Sequence, residues 1–191
     1  TIGVVIPHLQ EEFFSQAITA IEDVISAENY NVVVSQSRDK LERENRAIKS
    51  FISSRVDGVI ASISAETTQY YQFRELEKYG IPIVFFDRAP KDVAVNKVRG
   101  NIADAAFEVI DFLAKKGIKK VAILNGPASL EISDERLMGY WGAMKKFDLP
   151  IVQHYIKSTD LSKEDTTKKM LELLSCGDMP EAVFCFNDYV A

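Results

Sequence analysis

In this 191-residue chain, polar side chains of several chemistries recur just beyond short apolar runs. His8 and Gln10 follow Ile2-Gly3-Val4-Val5-Ile6-Pro7, and Gln36 and Ser37 follow Val32-Val33-Val34. Ser62 and Ser64 follow Val59-Ile60-Ala61, while Asp87-Arg88 follow Ile83-Val84-Phe85-Phe86. Further on come Asn125-Gly126-Pro127 with Arg136 on the next segment, and Asn187-Asp188 after Ala182–Phe186. Carboxylates and amides accept or bridge hydroxyl pairs, and arginine donates a planar fork. Phe13 and Phe14 add an aromatic face; adjacent on one helix they cannot both face the core, so one stays partly free. Together these are the groups that a polyhydroxylated ligand requires.

Each group also has a plainer reading. From spacing alone, Arg136 can pair with Asp134 or Glu135 on a solvated face. Asp188 can cap a helix that follows it, and Asp87-Arg88 can form a self-contained turn. Trp141, at helical spacing from Leu137 and Met144, reads as packing, and Cys185 as a small core residue. Catalytic patterns are missing: there is no phosphate-binding loop ending in Gly-Lys-Ser/Thr, no Gly-x-Gly-x-x-Gly, no Cys-x-x-Cys and no serine elbow. His8 has no second histidine near it, so neither a metal nor another cofactor is expected.

The elements that must carry these residues alternate. Strands are expected at Ile2–Ile6, Asn31–Ser35, Val56–Ala61 and Ile81–Phe86, then at Val95–Arg99, Lys119–Leu124, Ile151–Ile156 and Ala182–Phe186. Helical periodicity lies between them: Phe14, Ala17, Ile18, Ile21 and Ile25 in the first helix, about Glu66 to Tyr79 in the third, which Gly80 stops. Asp39 with Glu42 reads as a helix cap before Leu41, Ala47, Ile48 and Phe51. Strand–helix alternation with apolar strands predicts an α/β fold of two doubly wound parallel-sheet lobes, 1–98 and 99–191. The chain stops where another helix should start, so the second lobe reads as truncated. In open parallel sheets ligands bind beyond the carboxyl ends of the strands, which is where the polar residues fall.

Composition narrows the function. The net charge of −5 and a balance that is acidic in both halves argue against these residues gripping a phosphate backbone. Two cysteines make no disulfide framework, which suits a reducing compartment, and no apolar run is long enough to span a membrane.

In order and spacing, several segments resemble the effector-binding domain of the lactose-repressor (LacI/GalR) family, itself similar to periplasmic sugar-binding proteins. They are Ile2–Pro7 with Phe13-Phe14, Arg55-Val56-Asp57-Gly58-Val59-Ile60, and Gly80-Ile81-Pro82-Ile83-Val84 leading to Asp87-Arg88. Lys116-Gly117, Gly126-Pro127 with Arg136 and Gly139-Tyr140, and Pro180–Phe184 ahead of Asn187-Asp188 complete the set. The resemblance implies a periplasmic-binding-protein-like fold with a carbohydrate-like small-molecule effector in the interlobe cleft. It also implies a homodimer, a cytoplasmic location, and operator DNA bound by an N-terminal helix-turn-helix absent from this chain. It implies no catalysis. Phe14 would be the stacking aromatic, Arg136 the cleft arginine, Asp188 the carboxylate for ligand hydroxyls with Asn187 beside it, and Asn101 a crossover amide. Asp87 and Arg88 match the loop after the fourth strand; His8 and Ser62 complete the expected ligand-binding set. The family commonly has Asp at the position of His8, Asp at Gly100, and Asn-Pro where Glu11-Glu12 stand here. Two alternatives remain at this level: an extracytoplasmic sugar-binding receptor of a transporter, and an α/β enzyme acting on a sugar or nucleotide.

Overall fold

A computed structural model describes residues 1–91 and 93–191; Asp92, within the loop expected after the fourth strand, lies outside them. The backbone divides into two units, Thr1–Arg99 and Gly100–Ala191. Among the described residues there are eight strands and six α-helices, in the α/β alternation expected from the sequence.

The first unit is built on β1 (Ile2–Ile6), whose residues from Gly3 to Ile6 are all buried, as a parallel strand covered on both faces requires. It pairs with β2 (Val32–Gln36) on one side and β3 (Gly58–Ala61) on the other. β4 (Ile83–Phe86) and β5 (Lys97–Val98) extend the sheet, giving the order β2-β1-β3-β4-β5, parallel throughout. The helices α1 (Glu12–Ala27), α2 (Leu41–Ser53) and α3 (Tyr71–Lys78) make the crossovers. α2 buries Glu44, Ala47, Ile48 and Phe51, a stripe at helical spacing that includes one charged residue. Gly3 lets that helix approach: a Cβ there would lie 2.8 Å from the Phe51 ring.

The second unit is a three-stranded parallel sheet, β6 (Val121–Asn125) between β7 (Ile156–Ser158) and β8 (Ala182–Cys185). Its helices are α4 (Ile102–Lys115), α5 (Glu131–Lys146) and α6 (Lys163–Leu174). α4 and α5 pack with their backbones close, because Gly139 presents no side chain; a Cβ would sit 2.1 Å from the Ala103 carbonyl oxygen. In both sheets the strand order reverses, at β1/β3 and at β6/β8, and diverging connections there open a crevice at the carboxyl ends.

Four local expectations change. α3 begins at Tyr71, not Glu66, because Ser64 to Thr67 form a turn held by side-chain bonds to α2. The strand expected over Ile151–Ile156 is a single 3₁₀ turn, Gln153–Tyr155, before β7; it buries Tyr155, whose hydroxyl donates to the Asp178 carbonyl at 3.0 Å. Trp141 is 42% exposed, since α5 is rotated to bury Tyr140, Ala143 and Met144 instead. Asp39 caps no helix: α2 starts after Lys40 with no side-chain cap, and the Asp39 carboxylate turns elsewhere.

Candidate functional site

The strand ends of the first unit converge on Asp39. Arg38 and Asp39 both have left-handed backbones (φ 51° and 58°), a conformation aspartate tolerates better than most residues. This turn leaves α2 without a side-chain cap and puts the carboxylate among the segments that follow the strands. One oxygen accepts from the Ala65 N–H at 2.8 Å and from Arg88 Nη1 at 2.6 Å. The other lies 3.2 Å from His8 Nε2. A single side chain thereby joins the segments that follow β1, β2, β3 and β4. Burial acts to raise the Asp39 pKa, but the His8 hydrogen bond, the Arg88 charge and the Ala65 N–H outweigh it. The carboxyl is held below its ordinary range.

Arg88 is 2% exposed, and its guanidinium also lies 5.9 Å from the Phe14 ring centroid and 4.0 Å from the Asp87 carboxylate. Ser62 is fully buried and accepts the Arg88 backbone N–H at 3.4 Å. Phe14 is itself buried, packed with Val4 and Ile6 and edge-on to Phe86, while its neighbour Phe13 is 55% exposed. Asp87 is half-buried with a left-handed backbone (φ 54°), its N–H donating to the Val98 carbonyl. His8 is half-buried.

Behind this set lies a second buried carboxylate. Glu44 of α2 accepts from the Ser64 N–H at 2.7 Å, the Thr67 hydroxyl at 2.6 Å and the Gln72 amide at 3.0 Å. Burial pushes its pKa up, the three hydrogen bonds pull it down, and the Asp39 charge adds to the rise; the net direction is upward.

The second unit is arranged differently. Asn187 and Asp188 follow β8 and line a groove of about 600 Å³ that runs beside β8 and α4. Arg136 of α5 lines the same groove, donating from Nη1 to the Ile132 carbonyl at 3.3 Å. Its guanidinium lies 4.1 Å from the Phe186 ring centroid. The Asn187 side-chain oxygen accepts the Val190 N–H at 3.0 Å, whereas Asp188 is exposed. Asn101 lies outside the groove and caps α4, accepting the Asp104 N–H. The structure therefore brings together Arg136, Asn187 and Asp188, and separately ties His8, Ser62 and Arg88 through Asp39 and backbone bonds.

Sequence reasoning missed Asp39, Glu44 and Phe186. Asp39 had a usable signal, since it lies just past Gln36 and Ser37 at the end of a strand. Its Asp-x-x-Glu spacing imitated a helix cap and masked that position. Among the described residues no group of three His, Cys, Asp or Glu side chains could hold a metal ion, and no helix is long and apolar enough to cross a membrane.

Comparison with known proteins adds the family. Residues 2–191 match the family described as periplasmic binding protein domain. The chain is 26% identical over 191 residues to the HTH-type transcriptional repressor PurR of Actinobacillus pleuropneumoniae serotype 5b, covering 100% of this chain and 56% of that protein. It is also 26% identical over 191 residues to the HTH-type transcriptional repressor CytR of Escherichia coli K12, covering 100% of this chain and 55% of CytR. The chain thus spans about half the length of the curated relatives it matches. In fold it is similar to the transcription regulator CcpA of Lactococcus lactis, with a TM-score of 0.87 at 22% identity over 99% of this chain and 68% of that one. The chain belongs to the periplasmic binding protein domain family, and its relatives there are LacI-family transcriptional regulators.

Proposed function

We propose that this chain is the ligand-sensing part of a transcription regulator and performs no turnover. The observation that carries the reading is that Arg136 and the strand-end residues Asn187 and Asp188 line one groove, which runs along β8 and α4, in a chain whose relatives are named as repressors. A carboxylate and an amide suit ligand hydroxyls and a guanidinium suits an acceptor pair, so the effector is a small polyhydroxylated molecule: a sugar, a sugar phosphate or a nucleoside-like compound. His8 is the member of the first unit's set best placed to contact ligand, because Ser62 and Arg88 are buried. Phe14, Asp87 and Asn101 complete the proposed set through the family resemblance, as does the interlobe cleft as the binding place.

The regulator works in the cytoplasm as a homodimer, and an N-terminal helix-turn-helix segment outside these residues makes the operator contact. Ligand binding changes operator affinity only by its differential affinity for two arrangements of the protein, typically ~1–3 kcal/mol. A thermal-shift screen of pentoses, hexoses, their phosphates and nucleosides against the full-length protein tests this. The strongest hit is then added to an operator-binding assay on DNA selected from a random pool. The expected result is a ligand that raises the melting temperature and shifts DNA affinity by roughly 5–150-fold. A ligand that is chemically converted, or one that binds without altering DNA affinity, contradicts the reading.

A further inference from the structure

Phe186 follows β8 directly, and its N–H donates to the Leu124 carbonyl at 2.9 Å, so its backbone continues the sheet. The ring is 3% exposed. Against it lies the backbone of Gly126, where a Cβ would come within 2.5 Å of the ring. The Arg136 guanidinium also lies against this ring, its Cζ 4.1 Å from the centroid. Any side chain larger than hydrogen at position 126 would displace the ring, and with it the arginine. From the helix side, Arg136 is held a second time through Nη1 to the Ile132 carbonyl.

We infer that Phe186 is a positioning residue, which holds the Arg136 guanidinium over its ring so that the guanidinium meets a pair of acceptor oxygens on the ligand. The inference rests on the sensing reading above and deepens it. A guanidinium on an aromatic face is attracted by the ring quadrupole, while its N–H groups point outward in the plane. Asn187 and Asp188, next in sequence to the ring, line the same groove. A long, rotamer-rich side chain ordered before the ligand arrives loses less freedom on binding. The acceptor pair can be anionic, as on a phosphate, or a vicinal pair of hydroxyl oxygens, and the test separates them.

The full-length protein is followed by NMR at the Arg136 Nε–H resonance, with inorganic phosphate and D-ribose titrated separately as probes. Without ligand, the ring holds that resonance upfield in the wild type and in Phe186→Tyr, and releases it in Phe186→Leu, which fills the space but cannot stack. At least one probe perturbs the resonance, and its affinity falls roughly tenfold in Phe186→Leu while staying near wild type in Phe186→Tyr. A merely space-filling role predicts equal affinity in the Leu variant, and that outcome overturns the inference. So does an unshifted resonance in the wild type, or no response to either probe. If those failures occur while the thermal-shift screen still yields a ligand, the sensing reading stands and only the positioning role falls.

Discussion

The two units share parallel sheets and crossover helices, yet they use the residues beyond their strands in opposite ways. In the first unit a buried carboxylate, Asp39, is paired with a buried arginine and ties four strand ends together. In the second, Arg136 is half-buried on an aromatic ring and Asp188 is exposed beside a groove. The rule that ligands sit at strand ends selects both sets equally. Burial separates them. Polar groups that satisfy one another in the interior maintain a unit's shape, whereas an exposed carboxylate such as Asp188 beside a groove is the kind of group the proposed recognition uses.

The contrast can be broken most severely at Asp39. Asp39→Ala leaves the Arg88 charge buried without its 2.6 Å partner and takes the acceptor from the Ala65 N–H. The expected loss is about 3–5 kcal/mol in urea unfolding. Adding Arg88→Met should restore much of that loss, because much of the cost is that of burying a charge that has lost its nearest carboxylate. A loss below about 1 kcal/mol in the single variant would place Asp39 among ordinary surface pairs.

Within the first unit the two buried carboxylates have opposite pH signatures, and the effect is smaller. Asp39 is held below its ordinary range, so its contribution is present above the ordinary aspartate value and is lost as pH falls through the lowered one. Glu44 is raised. Between the ordinary glutamate value and the raised one, the folded state keeps a proton that the unfolded chain has released, so its contribution to stability falls as pH rises. Urea unfolding of wild type and Glu44→Gln from about pH 4 to pH 8 should show a wild-type advantage that declines with pH across that window. A difference that stays flat would mean Glu44 ionises as it does in the unfolded chain.

The strand–helix alternation was legible because buried parallel strands leave continuous apolar runs such as Ile2–Ile6, and helices such as α2 leave stripes such as Ala47, Ile48 and Phe51. Asn187 and Asp188 were singled out by strand-end position and Arg136 by family resemblance, and the fold lines one groove with all three. Less accessible were roles set by partners distant in sequence. Asp39 meets Arg88 across 49 residues, and its local pattern satisfied a helix cap equally well. Phe186 reads as the last residue of an apolar run; only the fold shows that its ring lies against Gly126 and Arg136. Trp141 and Tyr140 illustrate the same limit, since one residue's rotation of α5 decides which aromatic is buried. Phe13 and Phe14 show it again: adjacent on one helix they could not both be buried, and packing left Phe13 exposed.

Of the second unit's groove residues Asp188 is the exposed one, and the proposal that it takes ligand hydroxyls while the fold rests on other groups is checked there. Titration calorimetry of the strongest screened ligand against wild type and Asp188→Ala should show affinity weakened by ~1–3 kcal/mol, as ligand hydroxyls lose their partner. Urea unfolding of the same variant should stay within about 0.5 kcal/mol of wild type. Unchanged affinity in a folded Asp188→Ala protein would contradict the account.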